Sequence, residues 1–319
     1  MSKINSTLSL RQAVNLLTYS YDIPFSKREK IYFQILRTFP ADLLRLPSSP
    51  LFPASPLIFD FSALPFHSLN GDGFQYLPSL SKSFTTDILS FAKQSFQVIP
   101  NSPKSQVPPD LLHANPSLLR LFCSRHIVDP IANYLHIIPS LQYISLWKTD
   151  PTPDSQRTSE MFWHMDHHGH KFVKVFFYLS DVALGDGHHD FVTNTHIQSS
   201  FDQYLSAKSP LLLKHISLKR HLRGKHQLSD DVVLPIIDRC ISVVGSSGIG
   251  FMEDTRGLHR GTPIISDRSR IILQALFVPF DSMKDPVHKV SIPPDLIANI
   301  QLHNSYTKSE VGKLLSIIN

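Results

Sequence analysis

With 319 residues, 42% hydrophobic and 18% charged side chains, the chain can build one sizeable core and lacks the composition of a disordered protein. Cys123 and Cys240 stand far apart without CxxC spacing, which excludes a disulfide framework and a zinc ribbon. The formal charge of +5 is modest. No run approaches the ~20 apolar residues of a membrane span, and Met1–Gln12 lacks the apolar stretch of a signal peptide, so a cytoplasmic protein is expected.

Residues 1–65 read as an N-terminal helical extension. Leu10, Val14, Leu17 and Tyr21 fall at helical spacing within Leu8–Tyr21, and Ile31, Ile35 and Leu36 continue the pattern within Lys27–Leu46. Pro47, Pro50, Pro53 and Pro56 then mark a connector. Helical spacing returns over Thr85–Phe96 and Pro116–His136, separated by a Pro-, Ser- and Asn-rich loop at Ile99–Pro109. From about Leu141 the texture changes to short β-branched and aromatic runs bounded by Gly, Asp, Asn and Pro. These runs are Gln142–Trp147, Phe172–Leu179, Phe191–Thr195, Val232–Ile237, Ile241–Val244, Ile249–Glu253 and Ile271–Phe280. Helices first and strands after, with no GxGxxG, P-loop or strand–helix alternation, predict an α+β, mainly β fold in which helices pack on a sandwich or barrel.

Between Lys208 and Gln227 the chain carries six cations (Lys208, Lys214, Lys219, Arg220, Arg223, Lys225), three histidines and no acid. A solvated face is the plain reading. The sharper one is a docking surface for an anionic or carrier-bound small-molecule substrate. No nucleic-acid-binding motif accompanies the run, so nucleic acid is not expected as a partner.

The chemistry is concentrated in Phe162-Trp163-His164-Met165-Asp166-His167-His168-Gly169-His170. In an extended segment residues i and i+2 point the same way, so His164 and Asp166 can present an imidazole and a carboxylate to one point. His259, after a strand and a glycine-containing turn, is the natural third ligand. Two imidazoles and one carboxylate leave three positions open on an octahedral ion, the arrangement of non-haem iron(II) oxygenases. Eleven residues on, Arg270 opens the apolar strand Ile271–Phe277. A guanidinium there needs an anion, and the distal carboxylate of 2-oxoglutarate suits its planar fork. Asp267 is the structural alternative as partner, and Arg268 competes with Arg270 for the role. Lys174, Phe176 and Tyr178 share one strand face. If it lines the interior, Phe176 or Tyr178 walls the co-substrate and Lys174 reaches an anion; ordinary core packing and a solvent-reaching lysine are the alternative.

Several stretches carry a resemblance to the phytanoyl-CoA dioxygenase family of iron(II)/2-oxoglutarate enzymes. Trp163-His164-Met165-Asp166 is similar to its WHxD motif, and Lys174–Val182 to the strand that follows. Asp186-Gly187 and Thr193-Asn194-Thr195-His196 stand where the family has Asn-Gly and a Pro-Gly-Ser-His turn. Asp254–Gly261, closed by Arg270, resembles the distal motif, and Leu69–Phe74 the domain start. The resemblance spans Phe66 to Phe280. It implies a double-stranded β-helix (jelly-roll, cupin-like) core with helices on its major sheet, an oxygenase domain at 66–282 and a C-terminal helical tail at 283–319. It also implies iron(II) on His164, Asp166 and His259, 2-oxoglutarate on Arg270, and O2 as oxidant. His188-His189-Asp190 and Thr-Asn-Thr-His depart from the family near its usual substrate mouth.

The expected activity is that of a 2-oxoglutarate-dependent dioxygenase. It oxidises a small organic substrate, by hydroxylation, as 2-oxoglutarate is decarboxylated to succinate. Retention of Asp166 excludes the halide site of a halogenase. Two rivals stand beside this reading: a zinc hydrolase using the His164–His170 cluster, although HxHxDH and HExxH orders are absent, and a non-catalytic jelly-roll binding module.

Overall fold

Amphipathic spacing and capping chemistry set the helical layer. The computed structural model describes residues 25–36, 58–60, 67–151, 153, 157–214, 227–279, 294–304 and 308–315. Helix α1 spans Phe25–Leu36 and α2 Lys82–Ser95. The Ser81 hydroxyl caps α2 by accepting from Phe84 N, while Ile88 and Ala92 are buried one turn apart. Two short helices follow, α3 (Pro109–His113) and α4 (Pro116–Phe122), then α5 (Arg125–Leu135). Asn115 caps α4 by accepting from Ser117 N and Leu118 N at 3.0 and 3.2 Å, and Pro116 stands where no N–H is needed. The continuous helix expected over Pro116–His136 is therefore two helices, parted at Cys123–Ser124. Helix α6 covers Gln198–Lys208.

The strands are β1 (Phe59–Asp60), β2 (Phe74–Leu77), β3 (Ser79–Leu80), β4 (Gln97–Val98), β5 (Lys104–Gln106), β6 (Ser140–Thr149), β7 (Val173–Tyr178), β8 (His189–Val192), β9 (Cys240–Val243), β10 (Gly250–Glu253), β11 (His259–Gly261) and β12 (Arg270–Val278). A seven-stranded antiparallel sheet has the order β2-β10-β7-β12-β6-β5-β4, and a three-stranded sheet the order β11-β8-β9. Alternation along the strands assigns the faces. Val173, Val175 and Phe177 of β7, with Leu273, Ala275 and Phe277 of β12, join α1, α2, α4 and α5 in the main core. Each of the larger side chains buried there, alanine apart, contributes about 1.5–3 kcal/mol relative to exposure. On the opposite face Phe74, Phe176, Tyr178, Phe251 and Ile272 meet Phe191 and Val243 of the small sheet. Two sheets thus face one another over an aromatic layer, with helices behind the larger one. This large antiparallel sheet backed by helices is compatible with the expected jelly-roll.

Several expectations need correction. Val232–Ile237 is not a strand: Asp230–Val233 is an α-helical turn and Leu234–Arg239 a 3-10 turn. Two acids in the first turn favour a helix start, and Pro235, which has no N–H, suits the opening of the next turn better than a sheet interior. The Ile99–Pro109 loop contains β5, which extends the sheet by pairing with β6. Short β2, in a Gly- and Asp-rich stretch, escaped the strand pattern. Residues 294–304 and 308–314 are helical, and Leu296, Ile300, Val311 and Leu314 pack into the main core. Leu8–Tyr21 and most of the cation run, residues 215–226, lie outside the described residues; Lys208 ends α6. Among the described residues no helix is long and apolar enough to cross a membrane.

Gly250 shows how tightly the large sheet is built. A Cβ there would lie 2.3 Å from Phe177 Cε1 and 3.2 Å from Leu77 Cβ. Gly250→Ala is expected to destabilise the protein by about 1–3 kcal/mol, as overpacking does, read as a lower denaturation midpoint. An unchanged midpoint would show that the Phe177 ring can move aside.

Candidate metal centre and cavity

His164 and His259 come together through the backbone. His164 N donates to His259 O at 2.9 Å, and His259 N to His164 O at 3.0 Å. This antiparallel bridge sets the two imidazoles side by side, with centroids 4.2 Å apart. Asp166 N donates to Thr255 O at 2.8 Å, which pins the carboxylate two residues after His164 on the same side. One ligand atom from each of His164, Asp166 and His259 lies within 4.8 Å of the others, the geometry of a metal-binding group.

The imidazole tautomers suit ligation. Nδ1 of His164 is 2.8 Å from Phe162 O, and Nδ1 of His259 is 2.9 Å from Gly257 O. A carbonyl only accepts, so each Nδ1 carries the hydrogen and each Nε2 presents its lone pair. Burial, reinforced by neighbouring His164, pushes His259 down to about 3, so it is neutral as a ligand must be. Burial opposes charge at Asp166, yet the Lys174 ammonium beside it holds its carboxyl well below the usual range. Lys174 Nζ is 2.6 Å from Asp166 Oδ2.

The turn that delivers His259 is braced from behind. Arg256 Nε donates to both Asp254 oxygens at 2.9 and 3.0 Å, and the Tyr134 hydroxyl of α5 donates to Asp254 Oδ2 at 2.5 Å. Arg256 also donates to the His170 carbonyl, tying this turn to the end of the histidine-rich segment. His168 and His170 serve elsewhere: their rings pack on Phe172 and Tyr32 at 5.2 and 5.3 Å. Among the described residues, His164, Asp166 and His259 form the one metal-binding group.

A cavity of about 620 Å³ opens over these three side chains, walled also by Lys104, Trp147, Phe176, His189, Arg270 and Gln274. It falls in the size range of small-molecule sites, roughly 300–1,000 Å³. Arg270, Ile272 and Gln274 alternate along β12 onto its wall. Arg270 is only 8% exposed. It donates to the Gly187 carbonyl, its Nε is buried without a partner, and among the described residues no carboxylate pairs with it. Gly261 makes room for this guanidinium, since a Cβ there would stand 3.0 Å from Nη1. Arg268 is different: it is exposed and lies 3.8 Å from Asp186. Neither Arg268 nor Asp267 takes part in the cavity, which leaves Arg270 as the arginine of the site.

The other expected site residues separate. Phe176 lines the cavity and stacks on Phe251 at 4.9 Å. Lys174 also lines it, but the anion that it reaches is Asp166. Tyr178 lies between the sheets, its hydroxyl donating to Val243 O and accepting from His189 N. Sequence reasoning missed Lys104, Trp147, Gln274, Glu253 and the role of His189. Lys104 pairs with Glu160 and sits 5.0 Å above the Trp147 ring; burial, then Arg270, pushes it down to about 8. His189 Nε2 lies 2.9 and 3.0 Å from the two oxygens of fully buried Glu253. Burial pushes the Glu253 carboxyl up to about 8 and the His189 ring down to about 3. Gln274 left a readable signal, a polar residue in an apolar strand at the parity of Arg270; Lys104, in a Pro/Ser-rich stretch, left none.

No family model matches the chain, and no curated protein matches it. Solved structures do. SnoN, a non-heme alpha ketoglutarate dependent epimerase from nogalamycin biosynthesis, has 13% identity and a TM-score of 0.47 over 70% of this chain and 91% of its own. HygX from Streptomyces hygroscopicus, solved with nickel and 2-oxoglutarate, has 16% identity and a TM-score of 0.47 over the same shares. EctD from S. alaskensis, solved with bound Fe, has 13% identity and a TM-score of 0.44 over 70% of this chain and 81% of its own. These structural neighbours carry Fe or Ni, or 2-oxoglutarate, or are described as dependent on it.

Proposed function

We propose that this chain is an iron(II)- and 2-oxoglutarate-dependent oxygenase of the phytanoyl-CoA dioxygenase kind. It hydroxylates a small organic substrate, within a catalytic unit at 66–282 flanked by helical segments. One observation carries the reading. Two imidazoles presenting Nε2 and one carboxylate converge in a cavity whose wall holds a buried guanidinium that no carboxylate among the described residues pairs with. The residues fit the implied groups. Two nitrogens and one carboxylate oxygen are the donors of a facial iron(II) site, and the orphaned Arg270 Nε calls for a planar anion.

Bound there, iron(II) and 2-oxoglutarate supply O2 activation coupled to decarboxylation of the co-substrate to succinate. The chain supplies the frame. His164, Asp166 and His259 hold the ion. Arg270 takes the distal carboxylate, with the Gly187 carbonyl fixing one of its nitrogens and Gly261 leaving it space. Phe176 and Ile272 give the cavity an apolar wall that excludes water from this end. Gln274 and Trp147 offer polar and aromatic surface for orienting a substrate.

A zinc hydrolase would use the same three ligands but has no need of an unpaired arginine in the cavity. A binding module would keep the pocket without turnover. The deciding experiment measures succinate from 2-oxoglutarate with iron(II) under air, under nitrogen, and with zinc(II) in place of iron. Succinate formed only with iron and oxygen supports the reading. No succinate with iron in air, from protein that binds the metal, overturns it.

A further inference from the structure

Lys174 occupies an unusual place for a cation. It sits on β7 opposite Glu253 of β10, on the face that lines the cavity, where Phe176 two residues on is apolar. Its ammonium lies 2.6 Å from Oδ2 of Asp166, and its side chain is only 12% exposed. Tyr143 of β6 stands near it, its hydroxyl accepting from Gln274 Nε2 at 3.2 Å, and Asp166 is the side chain that holds the ammonium. The same Asp166 Oδ2 is 3.6 Å from His259 Nε2, while Oδ1 is 4.0 Å from His164 Nε2.

A cation beside a carboxylate that must ligate another cation works against metal affinity, because like charges repel strongly at short range in a partly buried site. Charge neutralisation alone does not require that arrangement. The ammonium does one further thing: it consumes lone pairs on one carboxylate oxygen. Left alone, the carboxylate could give both oxygens to the ion. The protein would then fill four positions, and a chelating co-substrate with oxygen needs three.

Resting on the metal reading given above, we propose that Lys174 is a positioning residue that holds one oxygen of Asp166 out of the coordination sphere. It thereby makes aspartate a one-oxygen ligand and keeps a position open for 2-oxoglutarate, at the expense of metal affinity.

The test needs no turnover. Metal-free wild type and Lys174→Met are titrated with Co(II) against a chromophoric chelator. The iron(II)-loaded forms are then titrated anaerobically with 2-oxoglutarate, following the metal-to-ligand charge-transfer band. The two affinities should move in opposite directions: Co(II) binding tightens at least ~10-fold, equivalent to ~1.4 kcal/mol, and 2-oxoglutarate binding weakens by a similar factor. A merely structural lysine would weaken both on removal, and that outcome, or no change in either, overturns the proposal. Lys174→Gln keeps a donor for Oδ2 without the charge and serves if the methionine variant does not fold. It should tighten Co(II) binding while leaving 2-oxoglutarate affinity near wild type; weaker Co(II) binding overturns the proposal. The underlying metal reading fails separately, if His259→Ala binds Co(II) as tightly as wild type.

Discussion

Replacing His259 by alanine is expected to abolish 2-oxoglutarate turnover and to lower iron(II) affinity at least ~100-fold, since even outer partners of metal ligands are worth ~10–100-fold. The expectation rests on a ring held to one spot by its own backbone bridge and by the Nδ1 contact to Gly257 O. The backbone half of that bridge survives the substitution, because the N–H and C=O groups remain. The fold should therefore persist, with an unchanged far-ultraviolet circular dichroism spectrum as the control. Succinate production near the wild-type rate in a folded His259→Ala protein would falsify the ligand assignment. His164→Ala and Asp166→Ala should behave alike, which distinguishes a shared ion from three independent contacts.

Arg270→Lys is the second large effect. The lysine keeps the charge but loses the planar fork that holds a carboxylate by two hydrogen bonds. Losing one hydrogen bond to a charged partner costs roughly 1.5–3 kcal/mol. Affinity for 2-oxoglutarate should therefore fall by at least ~10-fold, which ~1.4 kcal/mol already produces. Iron binding should change little, because Arg270 belongs to the cavity wall and not to the ligand group. Anaerobic titration of the iron(II) form gives the number directly. Gly261→Ala, which pushes a methyl against Nη1, should shift it in the same direction by less. Arg268→Ala, altering an exposed side chain paired with Asp186, should leave it alone. Equal affinity in wild type and Arg270→Lys removes the arginine from the site.

How much of this was legible in the amino-acid string depends on whether the information was local. His164 and Asp166 announced themselves because an extended segment puts i and i+2 on one side. Arg270 did so because a charge opens a strand of nine buried positions. The helix over Thr85–Phe96 was readable from its spacing and lies within about three residues of α2. Long-range pairing was not readable. Lys104 reaches the cavity only because β5 adds to β6, and nothing in Lys-Ser-Gln predicts that. Glu253 ends a strand buried at all four positions, where no alternation marks a polar face. Val232–Ile237 misled because β-branched composition outweighed Pro235 and the acids before it. Lys174 was placed on the right face, but its partner could be known only once β7 and the His164 segment were seen together.

The mutual hydrogen bonds between His164 and His259 have a bearing on how the proposed metal would come and go. The two residues are 95 positions apart (259 − 164), so the bridge exists only after the intervening chain has folded. Once formed, it holds both rings through main-chain groups that the ion never touches. In a zinc finger the order is the reverse: the peptide stays unfolded until the metal arrives. Here the bridge is made by main-chain groups alone, so the proposed iron should be an exchangeable part. Stripping it with a chelator should leave a folded protein that reloads without refolding, and occupancy will follow whichever divalent ion the surroundings supply.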